Sequence, residues 1–213
     1  MAHNTERRHF EAGSGLRVER RCGCDGSPDS AIVSGTAVVF NSDSNDLGGF
    51  IERMAPTAFD DFFESRDATK PDLDVVALWN HDGSQVLGRT PRTLRLSKDE
   101  RGVHFELELP RSREAIAESI ERGDVSACSF GFVVGKGNDS WSTDEQGRSL
   151  RTVNRVERFI EVSLVTHPAY PATSLEVARR SHDEFLASRE ALRSRAKATA
   201  TALSAFIEAR AGR

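Results

Sequence analysis

Val125-Ser126-Ala127-Cys128-Ser129-Phe130-Gly131-Phe132 sets a small nucleophile between large apolar residues on a segment that reads as a strand. Successive side chains of an extended chain point to opposite faces, so Cys128, Phe130 and Phe132 share one side and Ala127, Ser129 and Gly131 the other. The aromatic side suits a core. The other side leaves Ser129 among small neighbours, where a substrate backbone can come close and a hydroxyl can attack a carbonyl. A serine alone is an ordinary strand residue. The catalytic reading needs a base and an orienting group elsewhere in the chain.

Upstream, Leu73-Asp74-Val75-Val76-Ala77-Leu78-Trp79-Asn80-His81-Asp82-Gly83 reads as a buried strand running into a turn at Asp82-Gly83, with His81 at the strand end. An unperturbed imidazole titrates near about pH 6.5, so a histidine there suits proton transfer between a serine and a leaving amine. It equally suits the start of a polar turn. In Phe159-Ile160-Glu161-Val162-Ser163-Leu164-Val165 the alternation sets Glu161, Ser163 and Val165 opposite Ile160, Val162 and Leu164. A carboxylate on so apolar a strand needs a donor. A histidine N–H would serve, and so would an arginine such as Arg155 or Arg158.

The order Asn80-His81-Asp82, Ser129-Phe130-Gly131-Phe132, then Glu161-Val162-Ser163-Leu164-Val165 with Pro168-Ala169-Tyr170-Pro171 resembles the prohead proteases of tailed bacteriophages. Gly35-Thr36-Ala37-Val38-Val39-Phe40, Phe50-Ile51-Glu52-Arg53, Ala58-Phe59-Asp60 and Gly88-Arg89-Thr90 extend the likeness over most of the chain. The resemblance implies an α+β, mainly β fold: a small antiparallel β-barrel with surrounding helices, similar to the herpesvirus protease assemblin. It implies a serine endopeptidase with Ser129 as nucleophile, His81 as general base and Glu161 as third member. Herpesvirus relatives use a second histidine there, which makes His167 the alternative. The implied substrates are scaffold and major capsid proteins, and the chain itself, cut inside the assembling procapsid in the host bacterial cytoplasm of a phage or prophage. Dimerisation is expected by analogy with assemblin. Where the family carries methionine before the serine, this chain has Cys128, which alternation turns into the apolar side. Gly131 permits close backbone approach and makes its surroundings a candidate for oxyanion binding.

Composition narrows the rest. A net charge of −4 without a concentrated basic stripe argues against direct nucleic-acid binding. No apolar run reaches the roughly 18 residues of a membrane span, and no secretory signal is read at the N-terminus. Cys22-Gly23-Cys24 lacks the C-x-x-C spacing of metal and redox pairs, so neither metal nor cofactor is expected. Residues 1–29, polar and without period, read as a flexible segment; 30–178 as the protease domain; and 179–213, rich in alanine and arginine, as a helical C-terminal arm.

Within the domain, strands are expected from Ala31 to Phe40 and from Phe50 to Arg53, and a helix near Pro56 to Ser65. Thr93–Leu96 and Val103–Leu109 form a hairpin with His104 on its solvated face. Ser112 caps a helix that Gly123 ends. Lys136 to Ser149 reads as a polar loop whose Trp141 either contacts substrate or folds back over the fold. Two other functions fit less well. An idle barrel serving as an assembly or scaffold-binding module should have lost part of the His81, Ser129 and Glu161 set. A small-molecule hydrolase of the common fold should show G-x-S-x-G.

Overall fold

The computed structural model describes residues 5–10, 15–22, 28–64, 74–166 and 176–211. They divide into two units, Met1–Leu175 and Glu176–Arg213. The second is a single helix, α3, Glu176–Ala211, built from good helix formers.

The first unit runs β1 (Glu6–Phe10), β2 (Arg17–Cys22), β3 (Pro28–Val39), β4 (Phe50–Met54), α1 (Asp60–Glu64), β5 (Val76–Trp79), β6 (Asp82–Arg89), β7 (Leu94–Lys98), β8 (Gly102–Leu109), α2 (Glu114–Glu121), β9 (Ala127–Val133), β10 (Asp139–Thr143), β11 (Ser149–Val153) and β12 (Arg158–Val165). The strands form sheets of order β1-β9-β12-β5-β6, β2-β3-β8-β7 and β10-β11-β4. This is a mainly β, α+β fold. The expected closed antiparallel barrel is not found among the described residues. The β4–β11 and β5–β12 pairs are parallel. The outer strand β6 is exposed from Asp82 to Ser84, a polar edge with no strand paired on its far side among the described residues.

One core fills the first unit. Val33 and Val38 of β3, Phe105 and Leu107 of β8, Phe130 and Phe132 of β9 and Val162 and Leu164 of β12 all enter it, by period-2 spacing in β8, β9 and β12 and, in β3, across the register shift between Thr36 and Val38. Phe59 is wholly buried at its centre, with Phe40, Phe130 and Phe159 ring centroids at 6.3, 6.4 and 5.2 Å. Burying such a ring contributes about 3 kcal/mol at most.

Several expectations shift. Within the segment read as flexible, Glu6–Phe10 and Arg17–Cys22 are strands paired with β9 and β3. The charges of Glu6 and Arg8 are buried and matched rather than solvated, which composition does not reveal. Ser112 lies in a 3-10 turn, Arg111–Arg113, and α2 starts at Glu114 without a side-chain cap. Gly123 does end that helix, at φ 81°. The loop holding Trp141 is a hairpin, β10 with β11, and the indole folds back edge-on against Phe50 at 5.1 Å. His104 is half-buried between Thr36 Oγ1, at 3.1 Å from Nδ1, and Asp99, at 3.0 Å from Nε2.

Candidate active site

His81 owes its position to a two-residue hairpin. Trp79 pairs with Asp82, leaving Asn80 and His81 as the turn, with φ of 51° and 61°. Positive φ at both central residues matches the right-handed twist of the flanking strands. Asparagine tolerates this region; a histidine there carries strain of about 1–3 kcal/mol that its surroundings must offset. Asn80 fixes the turn to the end of β12: its N–H donates to Leu164 O at 2.9 Å, and its Oδ1 accepts from the Thr166 N–H at 2.9 Å. The turn expected at Asp82-Gly83 thus falls two residues earlier, because the strand signal of Asp82–Arg89 resumes at once.

The turn brings His81 Nδ1 to 2.7 Å from Glu161 Oε1. The donor that alternation demanded for Glu161 is therefore a histidine, joined by an arginine that was not considered: Arg7 Nε donates to the same oxygen at 2.8 Å. Neither Arg155 nor Arg158 takes that place. Glu161 is 2% exposed. Burial works against its ionisation, but the hydrogen bonds and charges of His81 and Arg7 outweigh it and hold the carboxyl below its ordinary range. With Nδ1 bonded to a carboxylate, Nε2 is the nitrogen left to exchange a proton with substrate groups.

Ser129 lies one strand away. In the β9–β12 register Gly131 faces Glu161 and Ser129 faces Ser163, so Ser129 and Glu161 share a sheet face. Ser129 is 2% exposed, and its hydroxyl donates to the backbone carbonyl of Arg8 at 2.8 Å. It makes no hydrogen bond to His81. The structure thus joins His81 to Glu161 and sets Ser129 on the neighbouring strand, on the face that carries Glu161, with its proton directed to β1. His167 lies outside the described residues.

Two neighbours settle smaller questions. Cys128 is 1% exposed in the core, where burial pushes its thiol up to about 12 against a weaker opposing backbone hydrogen bond of Ser129. A thiol so placed is inert, as alternation implied. At Gly131 a Cβ would lie 2.7 Å from Glu161 Cγ. The close approach that glycine permits is here made by the Glu161 side chain.

Behind the site runs a buried charge network. Arg8 makes a bidentate contact with Glu52, at 2.7 and 3.0 Å, and also donates to Glu6 at 2.6 Å. Arg151, 1% exposed, donates to Glu6 and Glu52 at 2.7 Å and to Asp139 at 2.7 Å. Glu52 is held below the usual carboxylate range: burial opposes ionisation, and the two guanidinium groups overcome it. Sequence reading missed Arg7, Arg8 and Glu6 because Glu6-Arg7-Arg8-His9 has the composition of a solvated tail. The available signal was the excess of acid on otherwise apolar strands, at Glu52 and Glu161. Among the described residues no three His, Cys, Asp or Glu side chains gather as a metal site.

A family model described as the caudovirus prohead serine protease matches residues 20–188. A search of curated proteins finds no match. Among solved structures the chain is similar to the capsid assembly protease of bacteriophage T4, at 8% identity and a TM-score of 0.49, covering 76% of this chain and 97% of that one.

Proposed function

Since the chain belongs to the caudovirus prohead serine protease family, we propose that it is a serine endopeptidase in which Ser129 attacks the scissile carbonyl, His81 carries the proton and Glu161 orients the imidazole. The 2.7 Å contact of His81 Nδ1 with Glu161 is the observation that carries this reading. It fixes the tautomer, leaves Nε2 for the serine proton, and neutralises the imidazolium that forms as Ser129 attacks. The proton then passes to the leaving amine, and water repeats the cycle on the acyl-enzyme. Glu161 is favoured over His167 as third member because its carboxylate already holds the histidine.

The substrates are scaffold and major capsid proteins, cut inside the assembling procapsid in the host cytoplasm. Extended segments of them add to a sheet edge near Ser129. The active unit is a homodimer, and α3 serves as an arm that holds assembly partners or is itself trimmed. The hydrogen bond from Ser129 to Arg8 O favours a second reading, in which the site is idle and the fold serves assembly.

Co-expression with the adjacent capsid and scaffold proteins decides between them. Intact masses are compared for the native chain and Ser129→Ala. Truncations that vanish in the variant support the endopeptidase. Partners left at full length by both forms support the assembly module. Equal cutting by both removes Ser129 as nucleophile and turns attention to Ser126.

A further inference from the structure

The strand nearest the nucleophile is the first one in the chain. β1 is the outer strand of its sheet and pairs antiparallel with β9, with Glu6, Arg7, Arg8, His9 and Phe10 opposite Phe132, Gly131, Phe130, Ser129 and Cys128. A peptide read by strand addition to β9 would lie there, its backbone in the ladder and its side chains alternating between two sets of contacts. β1 does both. Its Arg8 carbonyl oxygen stands 2.8 Å from Ser129 Oγ, and its residues fill built subsites.

On one face Arg8 is clamped by both oxygens of Glu52 and lies over the Phe132 ring, 5.6 Å from its centroid. Two residues earlier Glu6 takes both terminal nitrogens of Arg151, at 2.7 and 3.1 Å. On the other face Arg7 reaches Glu161. Without β1 the remaining network keeps Glu52, Asp139 and Arg151, two carboxylates and one guanidinium. That charge pattern calls for an incoming arginine, with an acid two positions before it.

We propose that this edge of β9 is the peptide-binding edge of the site, that it accepts extended segments carrying Glu-x-Arg, and that β1 is such a segment tethered in place, with Arg8–His9 as the bond presented. The inference rests on the serine-endopeptidase reading and supplies its substrate class. In the step, the Ser129 hydroxyl turns from Arg8 O to His81. Its oxygen bonds to the Arg8 carbonyl carbon, and its proton passes through His81 to the His9 nitrogen as the C–N bond breaks. Water then adds to the acyl carbon. One of its protons returns by way of His81 to Ser129, and Arg8 leaves as a free carboxylic acid that gives the other proton to solvent and becomes a carboxylate. Until β1 departs, Ser129 stays covered, which accounts for its 2% exposure without an idle site.

The test follows the purified full chain and Ser129→Ala at neutral pH by intact mass and N-terminal sequencing. The native chain is expected to lose Met1–Arg8 and begin at His9, and the variant to stay whole. In parallel, a synthetic peptide of residues 5–12 is expected to be cut after its second arginine, at least tenfold faster than the same peptide carrying Glu6→Gln and Arg8→Leu. A fluorophosphonate that labels Ser129 reports the nucleophile independently. Labelling, or Ser129-dependent cutting of capsid partners, with neither chain nor peptide cut after Arg8 would overturn this proposal and leave the endopeptidase standing. Absence of labelling and of every Ser129-dependent cut would overturn both. A merely structural β1 would change the melting temperature when altered and would yield no His9 terminus.

Discussion

Replacing Glu161 by glutamine removes one charge and leaves an almost isosteric side chain in a buried place. Its Oε1 lies 2.7 Å from His81 Nδ1, which sets the charge centres of carboxylate and imidazolium roughly 4 Å apart. At an effective dielectric of about 20, suited to a partly covered pair, the lost attraction is about 4 kcal/mol, or about three decades in rate. Arg7, which donates to the same oxygen at 2.8 Å, repels the imidazolium in both chains and cancels in the difference, while relaxation and water entry around the neutral amide recover part of the lost attraction. The expected fall is therefore about 100- to 1,000-fold in the rate of Ser129 labelling by a fluorophosphonate, and likewise in cleavage of capsid partners. Thermal melting serves as the control, since the glutamine can keep one hydrogen bond to His81. A Glu161→Gln chain that melts normally and keeps more than about a tenth of the native rate would refute the role given to Glu161 and reopen the place of His167.

Gly131→Ala places a methyl group 2.7 Å from Glu161 Cγ; crowding should cost about 1–3 kcal/mol of stability and swing the carboxylate from His81, seen as a lower Tm and a lower labelling rate together. In a Cys22→Ser/Cys24→Ser chain, Cys128 should ignore thiol reagents until denaturant is added, because its thiol is buried and pushed up to about 12; rapid titration of the folded protein would contradict that. Arg151→Ala leaves Glu6 and Glu52 short of their shared counter-charge and should cost about 3–5 kcal/mol, read from denaturant midpoints. Acid should act through the depressed carboxyls of Glu52 and Glu161. Their contribution is complete above the unfolded value of about 4.3 and fades as pH falls through the lower folded values, so Tm should hold from neutrality to about pH 5 and drop below about pH 4. A Tm unchanged at about pH 3 would show that the pairs contribute nothing.

Alternation carried most of the domain. Phe130 and Phe132 against Ser129 and Gly131, and Val162 and Leu164 against Glu161, fall on the faces their period assigns. A polar residue fixed among apolar ones must find a partner; alternation left that partner open between a histidine and an arginine, and Glu161 takes one of each, His81 and Arg7. The same logic fails for β1, whose Glu-Arg-Arg-His run has no apolar period to read. Its order comes from charges brought by β4 and β11, and no local rule sees a pairing across the sequence. The hairpin at Asn80-His81 was displaced for a related reason. Asp82-Gly83 is a strong turn signal, yet both residues belong to β6, and Asp82 pairs with Trp79 of β5. Sheet closure escaped as well, because parallel partners such as β4 and β11 are set by crossovers and not by pattern.

Glu6 and Arg151 are 145 residues apart, and Arg8 and Glu52 are 44 apart. A ribosome emits β1 before every strand that holds it, and the holding groups are complete only after β9 and β11 have been made. Until then the first strand has neither ladder nor counter-ions, and closing so long a loop is entropically costly before those contacts form. Ser129 on β9 and Glu161 on β12 follow the same schedule. The order of synthesis therefore postpones both the reactive face and its cover to the last steps of folding, and an unfinished chain carries no working cutter.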